Sequence, residues 1–139
     1  GEPAESAIQT PLQWMPSGNE TILLVDDQAA VLTIAAKFLE HLGYRVLQAG
    51  SGDVALDILQ RENKTIDLLL TDVIMPGGLN GYEVARRATL IKPGIKVLYV
   101  SGYVGDLPDH DSENEAPLLY KPYKEEELAQ KLRDVLENP

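Results

Sequence analysis

Leu68-Leu69-Leu70-Thr71-Asp72-Val73-Ile74-Met75-Pro76-Gly77-Gly78 decides the fold. An unbroken apolar run closed by an acid and a turn is the pattern of a parallel strand covered on both faces. Three other mostly apolar runs end on a polar residue, Ile22–Val25 before Asp26-Asp27, Ile95–Val100 before Ser101 and Pro117–Tyr120 before Lys121, and Arg45–Gln48 reads as a short second strand. The stretch around Asp72 is then the third strand, spanning Ile66–Thr71. Helical spacing separates the runs. Val31, Ile34, Ala35, Phe38, Leu39 and Leu42 recur with a helical period, and Gly43 supplies a stop. Ser51 is placed to cap a helix with Val54, Ala55, Ile58 and Leu59 on its apolar side. Val84, Ala85, Ala88 and Ile91 mark a third helix, and Leu128, Leu132, Val135 and Leu136 mark one over Glu125–Glu137. Strand and helix alternate throughout, which predicts an α/β domain with a doubly wound, five-stranded parallel sheet.

The 139 residues fit one domain, expected over 21–139. Residues 1–20 hold three prolines and no Lys or Arg, so a linker or disordered tail is expected there, joining the domain to a longer polypeptide. The stretch 103–116 should carry the helix between the last two strands. Gly105, Pro108 and five acids without a Lys or Arg disfavour one, so an irregular fourth helix is expected. A net charge of −10 argues against a nucleic-acid partner. With no cysteine there is neither a disulfide framework nor a thiolate metal site, which fits a cytoplasmic setting. The apolar runs fall far short of the ~20 residues needed to span a bilayer, so no direct membrane contact is expected.

Every polar strand end points to one place, because ligands of an open parallel sheet bind outside the carboxyl ends of its strands. Asp26, Asp27 and Asp72 supply negative charge there, Lys121 a single cation and Ser101 a hydroxyl. Adjacent carboxylates repel unless a cation compensates, and Mg²⁺ prefers oxygen ligands and retained waters. A carboxylate can also attack phosphorus, and such a transition state needs positioning and positive charge. Asp72 is thus the candidate nucleophile, with Lys121 and Ser101 answering the equatorial oxygens. A cis Lys121-Pro122 bond would redirect the chain and place the lysine. Taken singly, Asp26 or Asp27 could cap the first helix, Ser101-Gly102 could be a turn, and Lys121 a solvated surface charge.

Asp26-Asp27, Thr71-Asp72-Val73-Ile74-Met75-Pro76, Ser101-Gly102 and Lys121-Pro122-Tyr123 together resemble the response-regulator receiver domain of two-component signalling, over about residues 21–137. The resemblance implies a flavodoxin-like fold and a Mg²⁺-dependent phosphorelay. Asp72 would be the phosphoacceptor, with Asp26, Asp27, Asp72 and the Ile74 carbonyl as metal ligands. Ser101 and Lys121 would contact the phosphoryl group. The donor would be a phosphohistidine on a sensor kinase or histidine phosphotransfer protein. Such a domain catalyses its own phosphorylation without being a stand-alone enzyme. Met75–Gly81, Pro93–Val97 and Ser101-Gly102-Tyr103 further resemble receivers at the C-terminus of hybrid histidine kinases, whose parent chain can be membrane-anchored.

Three positions depart from that pattern. Leu118 stands three residues before the lysine, where most receivers carry an aromatic, and Ile74 and Tyr103 flank the acceptor with apolar bulk. Neither of the last two can orient a water, which predicts slow self-dephosphorylation. Other readings are a receiver fold that signals by binding alone, a phosphatase or phosphotransferase with its nucleophile after the first strand, and a flavodoxin-like cofactor binder. The intact acidic set disfavours the first. Asp26-Asp27 in place of Asp-x-Asp disfavours the second, and the absence of a Gly- or Ser/Thr-rich phosphate loop after Val25 disfavours the third.

Overall fold

The computed structural model describes residues 15–102 and 116–138. Five parallel strands form one sheet: β1 (Thr21–Val25), β2 (Arg45–Ala49), β3 (Leu68–Asp72), β4 (Lys96–Ser101) and β5 (Leu118–Tyr120), in the order β2-β1-β3-β4-β5. Helices α1 (Ala29–His41), α2 (Gly52–Glu62), α3 (Gly81–Ile91) and α4 (Glu125–Glu137) complete the described elements. The order turns back at β1, so β1 and β3 are neighbours whose carboxyl ends open the crevice expected of such sheets.

Strand periodicity divides the core in two. Ile22, Leu24, Leu68, Leu70, Leu98 and Val100 face α1 and α4, where they meet Ala35, Ala36, Leu39, Leu128, Ala129 and Leu132. Leu23, Val25, Leu69 and Tyr99 face α2 and α3, against Ala55, Leu59, Val84, Ala85 and Ala88. Each fully buried leucine contributes roughly 1.5–3 kcal/mol. The sheet is therefore held rigidly from both sides.

Two apolar residues assigned to helix core faces lie outside. Ile34 is 55% exposed and Val54 47% exposed. The small pair Ala35 and Ala36 brings α1 close to the sheet instead, which turns Ile34 outward. On α2 the face toward α3 belongs to Gly52, Ala55 and Leu59. Strand limits also shift. Ile66 is buried but precedes β3, while Asp72 and Ser101 are the last residues of their strands.

Local signals explain the helix starts. The Ser51 hydroxyl accepts from the Val54 N–H at 3.2 Å, as expected. At α3, Asn80 and Glu83 cap each other reciprocally, both bonds at 2.9 Å. Residues 15–20, within the expected linker, contact the domain. Met15 packs on the α1–α4 core, the Gly18 N–H donates to Leu42 O at 3.1 Å, and Glu20 pairs with Arg133 at 2.9 Å. The expected irregular helix between β4 and β5, and Tyr103 with it, lies outside the described residues. No helix among the described residues is long and apolar enough to cross a membrane.

Candidate functional site

The site assembles where β1, β3, β4 and β5 end. Asp26 follows β1 and is 4% exposed. Its Oδ1 accepts the Gln28 N–H at 2.9 Å, so it does steady the start of α1. Its Oδ2 accepts from Lys121 Nζ at 3.2 Å. Asp27, next in the chain, is exposed. Asp72 ends β3, and the following residue anchors it, because the Val73 N–H donates to Val100 O at 3.0 Å. One carboxylate oxygen from each of Asp26, Asp27 and Asp72 lies within 4.8 Å of the others. That is a cluster able to hold a metal ion.

Lys121 answers it. Its ammonium stands 3.2 Å from Asp26 Oδ2 and 3.6 Å from Asp72 Oδ2. The backbone holds it there, since the Lys121 N–H donates to Ser101 O at 2.8 Å. The Lys121–Pro122 peptide bond is cis. The same hydrogen bond joins the lysine to the end of β4, where Ser101 is fully buried. Ile74 is 41% exposed, two residues beyond Asp72. The structure thus brings Asp26, Asp27, Asp72 and Lys121 into direct reach, and sets Ser101 and Ile74 on the flanking strand end and loop.

Burial pushes the Asp72 carboxyl up to about 6, and the charges of Asp26 and Asp27 add to this. Lys121 and the Val73 N–H pull the other way without cancelling it. The pocket holds more negative charge than its one ammonium balances, which is the environment a bound cation relieves.

Two residues that sequence reasoning missed shape the pocket. Gly81, the first residue of α3, donates its N–H to Val73 O at 2.8 Å. A Cβ on it would stand 2.2 Å from Asp72 O, so only glycine lets α3 approach the acceptor strand. The Asn80-Gly81 pair carries a signal for this, a cap followed by a glycine too early to be a stop. Tyr123 is the second. It lines a small void with Asp26, Thr71, Asp72 and Lys121. Burial first, then the charges of Asp26 and Asp72, push its phenol up to about 12.

Residues 22–133 match the response regulator receiver domain family. The chain belongs to that family. The receiver is 37% identical over 117 residues to the response regulator receiver protein CpdR of Brucella abortus, covering 83% of this chain and 95% of CpdR. It is 34% identical to the sensor kinase CckA of the same organism, covering 87% of this chain but only 13% of that kinase. Among solved structures, the receiver domain of the hybrid histidine kinase CckA superposes with a TM-score of 0.70 at 34% identity, covering 84% of this chain and 98% of that one. A receiver domain from Clostridium thermocellum superposes with a TM-score of 0.76 at 27% identity, over 85% and 94% of the two chains. Receivers of this kind accept phosphoryl groups from kinases or phosphotransfer proteins.

Proposed function

We propose that Asp72 is the phosphoacceptor of a Mg²⁺-dependent phosphorelay, receiving its phosphoryl group from a phosphohistidine. The observation that carries this is the Lys121 ammonium between Asp26 and Asp72, at 3.2 and 3.6 Å. A lone lysine bridging two carboxylates of a three-acid cluster is over-matched until a cation joins it, and cation and lysine together can then answer the negative charge of a phosphoryl group. In the reaction an Asp72 carboxylate oxygen forms the new bond to phosphorus as the bond from phosphorus to the donor imidazole breaks. The imidazole leaves as the neutral ring once protonated.

Lys121 moves from balancing Asp72 to pairing with a phosphoryl oxygen, and stays tethered through its N–H to Ser101. The Ser101 hydroxyl, at the end of the neighbouring strand, would donate to a second oxygen. An all-oxygen donor set suits Mg²⁺. Asp26, Asp27, Asp72 and the Ile74 carbonyl would hold it, supplying charge neutralisation to the transferring group. Ile34, exposed on the helix that begins two residues after Asp27, is an apolar contact available to the donor. Hybrid kinases are the natural context, since the similarity to CckA falls on a small part of that kinase.

Intact-protein mass after incubation with acetyl phosphate and Mg²⁺ tests the reading. One added phosphoryl group in the parent chain and none in Asp72→Ala is the expected result. Equal phosphorylation of both chains would refute it. A receiver fold that acts by binding alone gains no support from this geometry, because it has no use for the lysine bridge.

A further inference from the structure

The turn that carries Lys121 and the first residue of α4 beyond it meet α1 at two points. Tyr123, two residues past the lysine, lines the void beneath Asp26 and Asp72 and sets its ring edge-on to Phe38, with centroids 6.4 Å apart and planes at 69°. Two residues further, the Glu125 carboxylate meets His41 Nδ1 at 2.5 Å. Phe38 and His41 are three apart on α1 and so share one face of the helix. Both lie outside the lining of the void. The charge at Asp72 acts on Lys121 directly, and Tyr123 lines the same void as both of them. On the other side of the sheet Leu118 of β5 packs with the α2–α3 core and offers no polar tip to reorient.

Resting on the phosphoacceptor reading above, we propose that this turn is a relay: the Tyr123–Phe38 and Glu125–His41 contacts report the state of Asp72 to the C-terminal half of α1. Tyr123 and Phe38 are positioning residues in this scheme, acting through Lys121. The coupling is reciprocal, because a site that biases α1 must be biased by α1 in turn. Loosening Phe38, which lies outside the lining of the void, then changes how tightly the pocket takes a phosphoryl mimic. A side chain that only supports the fold changes the melting temperature and leaves that affinity alone.

The test is beryllofluoride affinity of the full 139-residue chain in Mg²⁺, read by ¹⁹F NMR, with thermal melts alongside. Phe38→Leu and Tyr123→Leu are each expected to change the affinity by about fivefold or more. The double variant should change it no further than the larger single change, as two residues of one pathway do. Phe38→Tyr, which keeps the ring contact and lies outside the lining of the void, should match the parent. Folded Phe38→Leu protein with affinity within about twofold of the parent overturns the relay while leaving the phosphoacceptor reading intact. Failure of the parent chain to bind beryllofluoride at all overturns both.

Discussion

Removing the charge of Asp72 should make the metal-free receiver more stable. The folded carboxyl is raised from 3.8 to about 6, with burial the first cause, Lys121 opposing it next, and Asp26 and Asp27 then adding to the rise. A carboxyl raised on folding binds its proton more tightly in the native state, so native stability falls as pH rises from about 4 through about 6. Above that range the full cost of holding an ionised Asp72 is present. At about 1.4 kcal/mol per pH unit the ceiling is about 3 kcal/mol. The side chain is 12% exposed in a pocket open to water, and screening reduces the effective figure to roughly 1–2 kcal/mol.

Asp72→Asn keeps the shape and removes the charge, while Lys121 retains Asp26 at 3.2 Å. In chelator near pH 7 the variant should melt roughly 3–8 °C above the parent. Near pH 4 most of the gap should be gone, because Asp72 is then protonated in the folded chain and nearly half protonated in the unfolded one. Mg²⁺ should narrow or reverse the gap near pH 7, since ligand binding stabilises the parent by mass action and the variant lacks one ligand. Thermal melts at the two pH values, with and without Mg²⁺, read all of this. An Asn variant less stable than the parent near pH 7 without metal would refute the reasoning, and with it the idea that the pocket is under electrostatic strain.

Other outcomes follow from the same geometry. Lys121→Gln should slow phosphorylation by acetyl phosphate roughly 10–100-fold, the worth of one charge-assisted contact, measured by timed intact mass. Ile74→Asn should speed loss of the phosphoryl group several-fold by giving an attacking water a polar partner, read as decay of the phosphorylated mass. Gly81→Ala should cost about 1–3 kcal/mol in denaturant unfolding, because its Cβ would meet the Asp72 carbonyl at 2.2 Å. An unchanged midpoint would show that α3 can step back freely.

Much of this fold and site is legible in the amino-acid sequence, for physical reasons that also mark the limits. Leu68–Thr71 and Ile22–Val25 read as strands because both faces of a central parallel strand are buried. The site was legible because the polar residues closing those strands must share one end of the sheet. Ile34 misled because it borders the polar stripe of Thr33, Lys37, Glu40 and His41 on α1, where apolar character alone does not say which way a side chain turns. Val54 misled in the same way beside Ala55. The steric need at Gly81, the Tyr123–Phe38 contact and the Glu20–Arg133 tie, formed across 113 positions, depend on how helices lean on the sheet, which no local pattern encodes.

Borohydride trapping tests the central claim most directly. The receiver would be phosphorylated from a phosphohistidine donor in Mg²⁺, reduced, digested and sequenced by mass spectrometry. Asp72 carrying the phosphoryl group is reduced to homoserine, so the account predicts homoserine at position 72 and at no other acid. Homoserine at Asp26 or Asp27, or phosphorylated protein with position 72 untouched, would contradict it.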